Sequence, residues 1–194
     1  AVRRGSGRAC AVKTRLDARG ERRRRLLAAA AAAAAAPWLG LARAAADDMY
    51  AVVVREFGGP SSLVLERRAR PVPGPGELLV RLGAAGVNPV DAAVRSGRLA
   101  GMLGVSLPWV PGVDLSGVVV GAGGDSDFGV GDEVFAMVDL RRGGAYADYA
   151  IVREEEAARR PRGLRDVEAA SLPLVALTAW KALFEAGGLD RGQR

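Results

Sequence analysis

The sequence predicts a mainly β domain of the α+β class, running from Met49 into a C-terminal helix and preceded by a basic, alanine-rich leader. Two changes of texture carry that prediction. From Met49 onward, short apolar runs alternate with Gly and Pro, the pattern of strands joined by tight turns. Near the end, Leu174, Leu177, Trp180, Leu183 and Phe184 recur at helical spacing instead. A third observation bounds the chemistry: the chain has no histidine, and its single cysteine is Cys10.

Residues 1–48 read as a targeting leader. Residues 1–46 hold 11 Lys and Arg against Asp17 and Glu21, so the high pI of 10.4 belongs to the leader. The remainder, with 17 basic and 20 acidic residues, is mildly acidic. Nucleic-acid binding needs a basic face interleaved with aromatics on a folded module, so it is discounted. The order of Arg22-Arg23-Arg24-Arg25, Leu26-Leu27, nine alanines (Ala28 to Ala36) and Ala42-Arg43-Ala44-Ala45-Ala46 is that of a cleavable signal. Removal is expected near Ala46, leaving Asp47 or Asp48 at the mature start. The arrangement resembles a two-part import sequence into a chloroplast and on toward the thylakoid lumen. The alternatives are a mitochondrial address, export by a twin-arginine route, and a cytoplasmic protein whose true start is Met49. Polyalanine is only weakly hydrophobic, so the leader would serve as a membrane anchor only marginally, and stable membrane insertion of the mature part is not expected.

Within the body, the candidate strands in order are Tyr50–Arg55, Leu63–Glu66, Glu77–Ala84, Leu115–Gly121, Glu133–Val138 and Ala145–Val152. Pro71-Val72-Pro73-Gly74-Pro75-Gly76 must be a loop, because proline fixes φ and lacks a donor. Gly131-Asp132 reads as a tight turn. Asp166 is placed to cap a short helix through Ala170, and Gly187-Gly188 is a natural stop for the last helix.

The residue inventory excludes two mechanisms. Zinc catalysis draws its ligands mainly from His and Cys, and a Ser/His or Cys/His nucleophile needs an imidazole base. No metal site is therefore expected in the body. Asp91 and Arg95 read as a helical i,i+4 ion pair. Tyr146 and Tyr149 read mainly as barrel packing, and Glu154-Glu155-Glu156 as a solvated rim. The Leu174–Phe184 stripe reads as core or interdomain contact.

Several phrases, in one continuous order from about residue 50 to 194, carry a resemblance. They are Ala51 to Pro60 (AVVVREFGGP), Pro73 to Val80 (PGPGELLV), Ala84 to Asp91 (AAGVNPVD), Arg95-Ser96-Gly97, Pro111 to Gly117 (PGVDLSG), Gly143 to Tyr149 (GGAYADY) and Leu177 to Trp180 (LTAW). They resemble the opening of quinone oxidoreductases, the zeta-crystallin group of non-zinc medium-chain dehydrogenase/reductases. The resemblance implies a GroES-like, partly open β-barrel with a C-terminal helix. Residues 49–170 would be the substrate-side catalytic domain, and 171–194 a helix leading into a dinucleotide-binding Rossmann domain that is absent from the chain. No Gly-x-Gly-x-x-Gly turn follows Gly188-Leu189-Asp190-Arg191-Gly192-Gln193.

The resemblance further implies an enzyme that reduces quinones or α,β-unsaturated carbonyls with NADPH, by hydride transfer and without zinc. Zinc-dependent relatives carry Gly-His-Glu where this sequence has Gly112-Val113-Asp114. By motif match, Asn88 is the catalytic residue, and Asn88 and Thr178 lie near the nicotinamide. A tyrosine common five residues after the Asn is here Ala93. The implied partner is a small carbonyl or quinone substrate, and a homodimer of the full-length parent stays open. The reading from another class is a stand-alone, non-catalytic GroES-like binding or oligomerisation module.

Overall fold

The computed structural model describes residues 48–193, so the expected leader up to residue 47, with its cleavage point near Ala46, lies outside the described residues. β1 (Asp48–Val54) pairs antiparallel with β2 (Leu63–Ala69), from Asp48 opposite Ala69 to Val54 opposite Leu63. The other strands are β3 (Glu77–Ala85), β4 (Asp114–Ala122), β5 (Glu133–Met137), β6 (Tyr149–Arg153) and β7 (Ala157–Arg159). They form one antiparallel sheet in the order β6-β3-β4-β5-β7.

Residues 146–148 lace the two sheets together. Val52 N–H donates to the Tyr146 carbonyl and Asp148 N–H to that of Tyr50, while Leu82 N–H on β3 donates to the Asp148 carbonyl. On the other flank, Val54 and Trp109 exchange both backbone hydrogen bonds. The sheet is thus a curled half-barrel with the β1–β2 hairpin tied across its opening. This mainly β fold, with a terminal helix, agrees with the sequence-based expectation.

The core follows from strand alternation. Leu78, Val80, Leu115, Val119, Val134, Val138 and Val152 are fully buried in one cluster that fills the curled sheet. Burial of each such side chain contributes roughly 1.5–3 kcal/mol. A smaller cluster of Val54, Val94, Ala100, Val105 and Trp109 lies under helices α1 (Pro89–Arg95) and α2 (Ala100–Leu103).

Several boundaries differ from the expectation, for physical reasons. The strand expected over Ala145–Val152 is regular only from Tyr149, because residues 146–148 divide their hydrogen bonds between β1 and β3. The three-residue edge strand β7 was not anticipated. Asp166 opens α3 (Asp166–Ala169) but does not cap it; its carboxylate binds the Ser116 hydroxyl and Arg160, both at 2.9 Å. Glu168 reaches back to the Arg165 N–H instead, at 2.8 Å. Glu154-Glu155-Glu156 is not simply a solvated rim. Glu156 accepts from the Asp139 and Arg153 N–H groups and pairs with Arg142, and Glu154 accepts from Asp127 N–H.

The last helix, α4 (Pro173–Trp180), continues as a π-helical turn over Lys181–Ala186. Pro173 is buried and Leu174 packs against the main core, whereas Leu177, Trp180, Leu183 and Phe184 are exposed, the last by 44%. Within the described residues, the stripe is core only in its first turn. By length and composition alone, the run Asp166–Ala186 is apolar enough to cross a membrane.

Close approach of β3 and β4 sets a stability test. A Cβ on Gly117 would run into the Arg81 backbone carbonyl oxygen, whereas one on Gly129 would meet nothing within 4 Å. Gly117→Ala is expected to destabilise by about 1–3 kcal/mol through overpacking. Gly129→Ala is expected to be neutral or slightly stabilising. Urea melts of the two variants check this, and equal midpoints would contradict the close approach.

Candidate functional site

Asn88 caps α1. The Asn-Pro pair dictates the geometry: a residue before proline is pushed to extended backbone, and proline is pre-set for the first helical position. Asn88 accordingly has φ −120° and ψ 153°, with Pro89 following. Three residues on, the Asp91 carboxylate turns back and accepts from the Asn88 N–H at 2.8 Å. The Tyr146 hydroxyl donates to that same oxygen at 3.2 Å, and the other oxygen accepts from the Gly112 N–H at 3.2 Å. Gly112 has φ +88°, and a Cβ there would collide with the Tyr146 ring, so only glycine allows this approach.

This corrects the expected Asp91–Arg95 ion pair. Asp91 is buried at the third helical position, where the free N–H groups of the helix start draw it inward. Arg95 donates to the Gly58 carbonyl instead, at 3.4 Å.

Asp114, the first residue of β4, is 1% exposed. One carboxylate oxygen accepts from Asn88 Nδ2 at 3.0 Å, and the other from the Leu174 N–H at 3.0 Å. Leu174 lies in the first turn of α4, and Thr178 follows four residues later on the same helix face. Asp114 therefore bonds Asn88 and the first turn of the helix that carries Thr178, while Thr178 itself is exposed and Asn88 nearly buried. Val113, between Gly112 and Asp114, is fully buried.

Burial governs the titration of this cluster. Desolvation pushes the Asp91 carboxyl up, against hydrogen bonds from Asn88, Tyr146 and Gly112 that pull it down. Desolvation likewise raises Asp114, opposed by Asn88 and Leu174 and reinforced by the charge of Asp91. Tyr146 is pushed far above the usual phenol range, first by burial and then by Asp91, so it is held as a donor. A largely apolar cavity of about 240 Å³ adjoins the cluster, lined by Leu63, Val87, Asn88, Ala92 and Tyr146 among others. Along α4, a second apolar groove of about 530 Å³ lies between Phe135, Met137, Pro173 and Leu177.

Sequence reasoning missed the structural partners of Asn88. Asp114 had a legible signal, since an acid between Val113 and Leu115 on a strand is a charge in an apolar run. For Asp91 the signal was the Asn-Pro-x-Asp spacing of a helix start. Among the described residues, no group of three or more His, Cys, Asp or Glu side chains gathers to hold a metal ion.

Residues 74–162 match the alcohol dehydrogenase GroES-like domain. Over 143 residues the chain is 38% identical to the chloroplastic quinone-oxidoreductase homolog of Spinacia oleracea, covering 73% of this chain and 44% of that one. It is 40% identical over 129 residues to the mitochondrial NAD(P)H oxidoreductase RTN4IP1 of Homo sapiens, covering 60% and 33%. A mycobacterial structure complexed with NADPH superposes with a TM-score of 0.66 at 33% identity, covering 74% of this chain and 43% of that one. The chain thus spans less than half the length of the curated relatives it matches.

The two raised carboxyls give a pH test. A carboxyl whose folded pKa exceeds its unfolded value holds more protons when folded, so its stabilisation is full at low pH and is lost as pH rises through the folded pKa. The stability contributed by Asp91 and Asp114 is expected to decline from about pH 4, the ordinary Asp value, upward, against the opposite trend of the lowered Glu66, Asp132, Asp139 and Glu168 carboxyls, so the difference between parent and variant isolates it. Asp91→Asn should shrink that decline. Urea melts between pH 4 and 7 measure it, and an unchanged slope in the variant would refute the burial argument.

Proposed function

We propose that this chain, which belongs to the alcohol dehydrogenase GroES-like family through residues 74–162, is the substrate-side half of an oxidoreductase that reduces quinones or α,β-unsaturated carbonyls with NADPH and without zinc. The observation that carries this reading is the clamped Asn88 amide, anchored to Asp114 at the edge of an apolar cavity. Names of similar proteins support it: a quinone-oxidoreductase homolog, an NAD(P)H oxidoreductase and a protein complexed with NADPH.

In this reading Asn88 and Thr178 hold the nicotinamide end of the cofactor. When bound, the nicotinamide supplies the hydride. Asn88 Nδ2 spends one N–H on Asp114 and retains a second, which can polarise an acceptor carbonyl. Apolar walls exclude water and strengthen that hydrogen bond. Val113 stands where zinc-dependent relatives have a histidine, so this chain offers a methyl-bearing side chain in place of a ligand. The distant phosphates find no glycine-rich turn among residues 48–193. Residues 49–170 then act as the substrate-side domain, and 171–194 as the helix leading to the dinucleotide-binding part.

The chloroplastic and mitochondrial relatives support an organellar address, and we take the chloroplast as first choice, with the thylakoid lumen as its further destination. We read the apolar run Asp166–Ala186 as facing protein, because Ala169, Ala170 and Pro173 are already buried in the domain. A homodimer of the complete protein fits the exposed remainder. The non-catalytic module is the reading to which Trp180 and Phe184, whose tilted rings lie 4.6 Å apart on the exposed face, would point.

The test is steady-state NADPH oxidation with a simple quinone, run on residues 49–194, on the complete gene product and on its Asn88→Ala variant. Turnover is expected only from the complete protein, and Asn88→Ala should cut kcat about a hundredfold, the cost of removing one preorganised donor. A fully active Asn88→Ala variant would refute the role of Asn88, and robust turnover by the fragment would refute the half-enzyme.

A further inference from the structure

We propose that Asp114 is a positioning residue: its buried carboxylate holds the Asn88 amide and the first turn of the Thr178 helix in one frame, while touching neither substrate nor cofactor. The inference rests on the role given to Asn88 above.

The geometry has three parts. Asp114 Oδ2 accepts from Asn88 Nδ2 and Oδ1 accepts from the Leu174 N–H, each at 3.0 Å. An ionised carboxylate has no donor, so the Asn88 amide must turn its nitrogen toward Asp114, with its oxygen on the opposite branch. An unsupported Asn side chain would be free to turn over, exchanging a donor for an acceptor at the reacting carbonyl.

The Leu174 N–H is one of the helix-start donors that no intrahelical carbonyl reaches. Taking it up fixes the start of α4, and with it Thr178 one turn later on the same face.

The frame also has little slack. The Gly86 N–H donates to the Asp114 carbonyl at 2.9 Å, two residues before Asn88. A Cβ on Gly86 would come within 2.8 Å of Asp114 Cβ, so the two chain segments are in direct contact. Asp91 cannot stand in for Asp114, since both its oxygens are taken by Asn88 N–H, Gly112 N–H and the Tyr146 hydroxyl.

The experiment uses the complete gene product and the variants Asp114→Asn, Asp114→Glu, Asn88→Ala and Asn88→Ala/Asp114→Asn. An amide at 114 has one accepting end and one donating end. It can receive Leu174 N–H or Asn88 Nδ2, but not both with Asn88 as it now stands. Asp114→Asn is expected to lower kcat about ten- to a hundredfold, the scale of a small misplacement of reacting groups. The primary isotope effect with NADPH deuterated at the transferred position should rise. A mere loss of folded protein would leave that isotope effect unchanged.

In the Asn88→Ala background, Asp114→Asn should cost no more than about a further twofold, because the two residues act as one unit. Asp114→Glu keeps an acceptor-only carboxylate and should recover at least half of the lost activity on a logarithmic scale; it also serves if Asp114→Asn does not fold. Independent multiplicative losses, an unchanged isotope effect, or a Glu variant as impaired as Asn88→Ala would overturn the proposal. An impaired Asn88→Ala beside a parent-like Asp114→Asn overturns this inference alone. A fully active Asn88→Ala removes the role of Asn88 and this inference with it.

Discussion

A carboxylate taken out of water costs several kcal/mol unless donors meet its oxygens, and Asp91 and Asp114, at 5% and 1% exposure, impose that requirement on every element around them. The start of α1, the loop at Gly112, the loop at Tyr146 and the start of α4 each send a donor to one of the two. Those donors come from segments far apart in sequence. The mouth of the half-barrel is therefore assembled around two negative charges, and any shift of one segment leaves a buried oxygen short of a partner.

The same requirement explains the irregular backbone nearby. Gly112 must take a positive φ for its N–H to face Asp91 while the Tyr146 ring passes close by. Residues 146–148 must leave regular pairing so that Tyr146 reaches the mouth, and they bind β1 and β3 on the way. Asn88 inherits its setting from both. Its backbone is held through Asp91 and its side chain through Asp114, so a polar amide stands beside an apolar cavity in a single orientation.

Binding energetics suit a division of labour in the proposed enzyme. Asn88 and Thr178 offer neutral hydrogen bonds worth about 1 kcal/mol each net, too little to offset the cost of association. In the proposed enzyme this half would contribute orientation and not affinity. The exposed Leu177, Trp180, Leu183 and Phe184 extend from the end of α4 as a ready apolar surface.

Sequence by itself determined the β texture, the order of the main strands, the terminal helix and the absence of any imidazole. Those features are local: alternation, Gly and Pro punctuation and composition act over a few residues. Asn88 was singled out because its Asn-Pro phrase stands in a recognisable order of phrases. The partners of Asn88 were not. Asp91 looks like half of a surface i,i+4 pair until the helix is known to begin at Pro89, and Asp166 looks like a cap until Ser116 and Arg160 are brought beside it. Asp114 lies 26 residues from Asn88 and 60 from Leu174 along the chain. Only the curl of the sheet brings β4 between α1 and α4, so the bonds of Asp114 to both are decided by tertiary structure, through the need to satisfy a buried charge.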